Sequence, residues 1–299
     1  MPLLRTALVL ALVSALVFGA SRLYALIGTP VAVAANLKQA ADAPAPSQLS
    51  MPGLETGACM SLPPSHAGSG QTVFIDPGHG GLDPGVVGGS GARQVLEKHA
   101  ALAVATQLST LLRADGYRVV MARTEDSTML KLSPTDSVLG ALTGSAEHRD
   151  LAARASCANA AGAAVLLSIH FNAFGDPSVG GTESFYDSAR TFSVENRRLA
   201  TALQAALVAS LGTDDRGVWT DDQLAAPTLT SSGTKYGHLI ELGPLAAGWV
   251  DNPSQMPGAL VEPLFLSNPK EAALAADPAG QRQIALALEA GLVKFLSAL

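Results

Sequence analysis

Two histidines follow apolar stretches that have the composition of buried strands. His79 lies in a glycine-rich turn after residues 72–77, and His170 follows residues 163–169. Short runs rich in β-branched and aromatic residues, bounded by glycine or proline, are typical of strands. In open α/β sheets, ligands bind at the edge formed by the carboxyl ends of the strands. Both imidazoles are therefore expected at that edge.

A carboxylate is expected to reach the same edge from the first helix. Glu97 lies near the start of this helix, and the residues 4, 7, 11 and 14 positions later are Ala101, Val104, Leu108 and Leu111. This apolar stripe faces the sheet, so Glu97 points inward with it. A buried carboxylate without a partner is costly, and a bound cation or a proton would remove that cost.

Two histidines and a glutamate with an open fourth position form the ligand set of a catalytic zinc site, which lowers the pKa of a water toward about 7. Glu262, at the end of the predicted strand 258–262, is a candidate base for that water. Each residue also has a simpler interpretation: a structural histidine, a first-turn glutamate favoured by the helix dipole, or a buried structural carboxylate. The convergence of four groups at one edge favours the metal site.

The elements that would position these groups alternate between strand and helix. After the strand at 72–77, a helix is predicted over 95–114 and a strand over 117–122. This order is a βαβ unit, which requires parallel pairing. The later elements are a helix over 147–161, strands over 163–169 and 181–186, a helix over 193–211, a strand over 258–262 and a helix over 279–299. The pattern predicts an α/β domain with a mostly parallel sheet.

The chain is predicted to begin with an export segment. Arg5 precedes an apolar run over 6–20, which is shorter than the roughly 20 residues of a transmembrane helix and suits a secretory signal or a short anchor. We therefore assign 1–35 to a signal peptide or N-terminal membrane anchor, 36–70 to a disordered linker, and 71–299 to one catalytic domain. The protein is expected to be exported to the cell envelope or the extracellular space, where its N-terminus could tether it to the membrane.

Composition and charge exclude several classes of protein. With 48% hydrophobic and 15% charged residues, the chain is globular and not disordered. Its net charge of -6 comes with no run of lysine or arginine, so a nucleic-acid partner is not expected. Cys59 and Cys157 have no CxxC spacing, which argues against a thiolate metal site. They could form a disulfide in an exported protein, whereas otherwise Cys157 suits a small core residue.

Four separated motifs occur in a specific order along the chain. They are Asp76-Pro-Gly-His-Gly-Gly81, Glu97-Lys98, Ser168-Ile-His-Phe-Asn-Ala173 and Glu262-Pro-Leu-Phe-Leu-Ser-Asn-Pro269. Together they resemble the zinc-dependent N-acetylmuramoyl-L-alanine amidases of the third amidase family. The resemblance spans about residues 72–299 and implies a single domain of the phosphorylase/hydrolase-like kind, with a mixed, mostly parallel sheet covered by helices on both faces.

The resemblance also implies a reaction and its residues. His79, Glu97 and His170 would bind Zn²⁺, and Glu262 would be the catalytic carboxylate. The implied reaction is hydrolysis of the amide between N-acetylmuramic acid and L-alanine in peptidoglycan, by metal-activated water with the glutamate as general base and acid. Peptidoglycan is then the substrate, and the sequence identifies no regulatory protein partner.

Two departures from the family pattern affect the expected cleft. Pro263-Leu264 stands where the family commonly has Gly-Phe, and the irregular region 218–257 is longer than a minimal form. Both can reshape the substrate cleft. Two other functions are therefore weighed beside the amidase: a zinc hydrolase of another amide or peptide, and a catalytically silent wall-binding scaffold.

Other polar residues near the predicted site have ordinary interpretations. Asp83 suits loop capping, Glu183 suits a solvated strand edge, and Arg154 suits pairing with acidic neighbours. No spacing connects His238 or Glu241 to the site, so loop or surface positions are predicted for both.

Overall fold

An eight-stranded sheet runs through the computed structural model, which describes residues 45–68, 70–89, 94–223 and 236–299. The strands are β1 (Ser47–Gln48), β2 (Ala58–Leu62), β3 (Thr72–Pro77), β4 (Val87–Gly88), β5 (Val95–Leu96), β6 (Arg118–Arg123), β7 (Ser137–Val138), β8 (Ala141–Leu142), β9 (Val165–Ile169), β10 (Thr182–Tyr186), β11 (Asp215–Thr220) and β12 (Gly258–Glu262). The helices are α1 (Glu97–Ala114), α2 (Gly144–Ala160), α3 (Ser193–Leu211), α4 (Pro269–Ala276) and α5 (Pro278–Leu296).

The large sheet is mixed, and its central pairings are parallel. The strand order is β1-β2-β6-β3-β9-β12-β10-β11, while β4 with β5 and β7 with β8 form separate two-stranded sheets. Strand β3 is parallel to β6 and β9, β9 is parallel to β12, and β10 is parallel to β11. The pairings of β1 with β2, β2 with β6 and β10 with β12 are antiparallel. The predicted mixed, mostly parallel sheet is confirmed.

Helices cover both faces of this sheet because its central strands are apolar on both sides. On β3, Val73 and Ile75 belong to the core shared with α1, α3 and α5, whereas Phe74 belongs to the core shared with α2. The same alternation places Leu167 of β9 on the first face and Leu166 on the second. Continuous apolar runs of this kind are expected for parallel strands buried on both faces.

The largest difference from the sequence prediction lies before β3. Residues 36–70 were predicted to be a linker, but β1 and β2 within this range extend the large sheet. Cys59 of β2 is fully buried and forms a disulfide with Cys157 of α2. This bond and the pairing with β6 order a segment whose composition alone is that of a linker. Residues 1–44, which contain the predicted export segment, lie outside the described residues.

Two other predictions differ in detail. The predicted C-terminal helix over 279–299 is preceded by a separate helix, α4, whose start is fixed by the Asn268 side chain accepting hydrogen bonds from the backbone of Lys270 and Glu271. The region 218–257, predicted to be irregular, begins with the last residues of β11. No helix in the described ranges is both long and apolar enough to span a membrane.

Candidate active site

His79 is held by a strained turn and by an aspartate. The residue adopts a left-handed backbone conformation with φ of 61°, just after the end of β3. Its Nδ1 lies 2.6 Å from Oδ2 of Asp83, which leaves Nε2 for the cavity side. Burial lowers the pKa of His79, but hydrogen bonds with Asp83 and Glu97 outweigh burial and raise it to about 10. Asp83 also accepts a hydrogen bond from the Gly85 backbone, so it caps the loop as predicted and orients His79 as well.

Glu97 is the first residue of α1, and its side chain is only 3% exposed. One oxygen, Oε2, accepts a hydrogen bond from the Val86 backbone at 2.7 Å, and Oε1 accepts one from the Phe171 backbone at 2.9 Å. Burial raises the pKa of this carboxyl, but the two histidines outweigh it, so the net pKa lies below its usual range. The prediction that Glu97 points inward is confirmed.

His170 follows β9 and completes a set of three converging donors. Its Nδ1 lies 3.0 Å from Oε1 of Glu97 and 3.1 Å from Nε2 of His79. The Nε2 atom of His79 is in turn 3.0 Å from the same oxygen. Ligands around a tetrahedral zinc ion, with bonds of about 2.0–2.1 Å, lie about 3.3–3.4 Å apart. The three donor atoms therefore fit a metal ion of this size and preference.

Glu262 ends β12 beside these donors. In the antiparallel pairing of β10 with β12 it lies directly opposite Glu183. Among the described residues, no hydrogen-bond partner reaches its buried Oε2 atom. Burial and the negative charges of Glu97 and Glu183 hold the pKa of Glu262 well above its usual range. The group is suited to hold and release a proton.

Glu183 is more constrained than the solvated strand edge that the sequence suggested. The residue is 9% exposed, and it accepts hydrogen bonds from Asn172 and, at 3.2 Å, from Arg216. Since it faces Glu262 across the strands, its charge contributes to the raised pKa of that carboxyl.

Arg154 connects helix α2 to the end of strand β3 at the base of the site. Its guanidinium lies 2.5 Å from Asp76 and 3.0 Å from Asp150, so the predicted pairing with acidic residues is confirmed. It also donates to the backbone oxygens of Pro77 and His79. This buried cation therefore fixes the turn that carries His79. The contact forms only when α2 packs against β3 in the folded chain.

The four predicted site residues line one cavity of about 540 Å³. Its wall also includes Leu239, Ile240 and Glu241. Glu241 lies in a turn, as the loop prediction allowed, but not at the surface: the residue is 5% exposed, and its Oε2 atom is buried without a hydrogen-bond partner in the described part of the chain. Burial and the charge of Asp76 raise its pKa well above the usual range. No local spacing could have revealed this position, since it depends on how residues 236–257 return to the sheet.

Comparisons with known proteins identify the family to which the chain belongs. The model of a family described as N-acetylmuramoyl-L-alanine amidase matches residues 73–294. The amidase LytC of Bacillus subtilis is 32% identical over 76% of the chain, and a germination-specific N-acetylmuramoyl-L-alanine amidase of the same organism is 32% identical over 77%. The matches cover 36% and 81% of these relatives' own lengths.

Solved structures give the same result for the fold. The CwlD amidase of Clostridioides difficile, solved in complex with the GerS lipoprotein, superposes with a TM-score of 0.61 at 27% identity. This likeness covers 77% of the chain and the whole of the CwlD chain.

Proposed function

Because the chain belongs to the N-acetylmuramoyl-L-alanine amidase family, we propose that it hydrolyses the amide between N-acetylmuramic acid and the L-alanine of peptidoglycan. The observation that supports this best is the convergence of His79, Glu97 and His170 on one point, with Glu262 in the same cavity. The donors form one charged and two neutral ligands of the kind that catalytic zinc sites use. An open side of the cavity is available for the substrate.

In the proposed mechanism, His79, Glu97 and His170 hold Zn²⁺. A zinc ion bound there supplies a Lewis acid that polarises the amide carbonyl and acidifies water. Asp83 accepts a hydrogen bond from the Nδ1–H group of His79 and so keeps Nε2 as the ligand atom. The backbone of Val86 and Phe171 fixes the orientation of Glu97 by two hydrogen bonds. These contacts hold the ligands in place before the substrate arrives.

Glu262 carries the proton in this mechanism. Its carboxylate takes a proton from the attacking water and then delivers it to the nitrogen of the leaving L-alanine amine. A general base works best when its pKa lies near the operating pH. Burial and the neighbouring carboxylates raise the pKa of Glu262, which supports this role. The buried Oε2 atom, without a partner among the described residues, can accept that proton.

The proposal includes an envelope location. Residues 1–35 act as a signal peptide or membrane anchor, and the domain reaches peptidoglycan outside the cytoplasm. The Cys59–Cys157 disulfide supports export, because such bonds persist in oxidising compartments. A regulatory partner is compatible with the family, since the C. difficile CwlD amidase is described in complex with the GerS lipoprotein.

The test is a product analysis with the full chain. Purified protein is incubated with peptidoglycan, with and without a chelator, and the products are identified by mass spectrometry. Stem peptides that begin with free L-alanine are expected, and they should disappear after chelation and in Glu262→Gln. Glu125→Gln is the matched control, because Glu125 is exposed and does not line the cavity.

The other outcomes identify the alternative functions. Release of L-alanine peptides that persists in Glu262→Gln would contradict the assigned role of that carboxylate. Bound zinc without any peptidoglycan cleavage indicates a wall-binding scaffold, and cleavage of soluble amides alone indicates a hydrolase of another substrate. Either result overturns the proposed reaction.

A further inference from the structure

A second group of metal-binding side chains lies at the ends of β10 and β11. Asp187 directly follows β10, and Asp221 directly follows β11. The two strands are parallel, and their last residues, Tyr186 and Thr220, are register partners. The two carboxylates therefore lie side by side at the carboxyl edge of the sheet. His238 reaches them from a later segment, and the three donor atoms lie within 4.8 Å of one another.

The backbone fixes both carboxylates with one oxygen turned toward His238. Oδ1 of Asp187 accepts a hydrogen bond from Ala189 at 2.7 Å, and Oδ2 of Asp221 accepts one from Leu239 at 2.9 Å. The remaining oxygens lie 2.9 Å (Asp187) and 3.3 Å (Asp221) from Nδ1 of His238. Glu97 in the first site is similar: Oε2 is held by a backbone N–H, and Oε1 faces the histidines while also accepting from the Phe171 backbone. The donor atoms are thus oriented toward a common centre.

Among the described residues, no lysine or arginine forms an ion pair with either carboxylate of this cluster. The side chains of Asp187 and Asp221 are 0% exposed. Nδ1 of His238 makes its hydrogen bond with Asp221, and within the described residues no donor is aligned with the buried Oδ2 atom of Asp187. The nearby Arg190 directs its N–H groups to backbone oxygens such as those of Leu242 and Gly243. Two buried carboxylates at one point are costly unless a cation joins them.

We propose that Asp187, Asp221 and His238 form a second metal site that binds a divalent ion with the ligand preference of zinc. One imidazole nitrogen and two carboxylate oxygens suit zinc, and the two oxygens lie 2.9 and 3.3 Å from Nδ1, close to the about 3.3 Å expected between ligands of a tetrahedral ion. Calcium takes six to eight oxygen ligands, and magnesium keeps several waters, so both fit this buried group poorly. The site is distinct from the one formed by His79, Glu97 and His170.

The position of the site indicates a structural role. The carboxylates contact His238 and the Leu239 backbone. These contacts lie at the start of the segment Leu239, Ile240 and Glu241, which lines the active-site cavity. An ion held here joins the ends of two strands to this wall of the cavity. Loss of the ion is therefore expected to loosen the cavity wall without removing any ligand of the first site.

The test counts zinc ions in the full-length protein. The chain is stripped with a chelator, equilibrated with excess ZnCl₂, separated from free zinc by gel filtration, and measured by inductively coupled plasma mass spectrometry. The wild-type chain is expected to hold two zinc ions, and both His238→Ala and Asp221→Asn to hold one. His79→Ala/His170→Ala, which leaves the second cluster intact, should keep one, and adding His238→Ala should remove it.

Controls separate this proposal from the proposed function. His99→Ala removes an exposed histidine that contacts only a surface aspartate in the described structure, and it should leave both zinc ions. If wild type holds one zinc and His79→Ala/His170→Ala holds none, the second site does not exist. If the variants of the first site lose no zinc while His238→Ala loses one, the catalytic assignment fails and this proposal stands. If His238→Ala does not fold, Asp221→Asn replaces it in the test, because its amide oxygen can still accept the hydrogen bond from the Leu239 backbone.

Discussion

The hydrogen bond between Asp83 and Nδ1 of His79 determines which nitrogen of the ring faces Glu97 and His170. Removing a hydrogen-bond partner of a metal-binding histidine typically lowers metal affinity by about 10–100-fold. In Asp83→Asn the amide is a weaker acceptor, so zinc affinity at the first site is expected to fall by about this factor. Competition with a chromophoric chelator measures the change. Asp176→Asn is the control, because Asp176 caps an exposed turn in a similar way; equal affinities in both variants would contradict the orienting role.

The buried pair of Asp76 and Arg154 leads to a pH prediction. Burial raises the pKa of Asp76, but the charge of Arg154 and the hydrogen bonds with Glu241 and Ser168 together outweigh burial and place the pKa below its usual value of 3.8. A carboxyl with a lowered folded-state pKa stabilises the fold above its unfolded pKa, and this stabilisation is lost as the pH falls through the folded value. Asp76→Asn is therefore expected to lower the free energy of unfolding at pH 7 by about 3–5 kcal/mol.

The difference between Asp76→Asn and wild type should shrink as the pH falls below 3.8, because Asp76 of the unfolded chain then becomes protonated, and it should stop changing below the lower folded-state pKa. Urea unfolding at a series of pH values measures this convergence. Asp136→Asn, which removes the partner of the half-exposed Arg149, should change stability much less. A difference that stays constant at acidic pH would show that the charge of Asp76 is not the cause.

These residue-scale contacts also show what could be predicted from the sequence. His79, Glu97, His170 and Glu262 were predicted because each lies at or just beyond an end of a regular element with a clear pattern, and the structure brings them into one cavity. Glu241 and His238 were assigned to loops or the surface. The position of Glu241 depends on its contact with Asp76, and that of His238 on its contact with Asp221, and both aspartates lie more than a dozen residues away along the chain. No periodicity in the sequence records such a contact.

At the scale of elements, the end of β3 passes very close to the end of β9. A Cβ atom added at Gly78 would lie 2.4 Å from Cε1 of His170, so any side chain there must displace the imidazole. Gly78→Ala is expected to reduce zinc binding at the first site and to cost about 1–3 kcal/mol of stability. Zinc content and thermal unfolding measure both effects. Gly144→Ala is the matched control, because nothing lies within 4 Å of the added Cβ and no zinc should be lost.

The boundaries of the elements were predictable where the chain itself signals them. The helix α3 and the strand β12 coincide with their predictions, because both are delimited by clear changes in apolar pattern. The strands β1 and β2 were missed because they depend on pairing with β6 and on a disulfide, neither of which is visible in local composition. Short strands at the edge of a sheet owe their order to the neighbouring strand more than to their own residues.

At the scale of the whole molecule, the Cys59–Cys157 disulfide closes a loop of 98 residues and joins β2 to α2. Removing a native disulfide typically costs about 2–5 kcal/mol. Cys59→Ala/Cys157→Ala is expected to lower the melting temperature while leaving activity at 25 °C, because neither residue lines the cavity. Calorimetry with and without reductant measures this. Reductant should destabilise wild type to the level of the double variant and leave that variant unchanged; equal sensitivity of both proteins would contradict the prediction.

Strand β12, which carries Glu262, lies between two strands that come much earlier in the chain. In the sheet, β12 separates β9 from β10, although its residues are synthesised after the whole of β11. Until residues 258–262 emerge, both β9 and β10 present unpaired edges at the centre of the molecule. Such late, distant pairing makes folding slow and cooperative. The proposed catalytic carboxylate Glu262 therefore reaches the proposed zinc ligands only when the strand that completes the sheet pairs with β9 and β10.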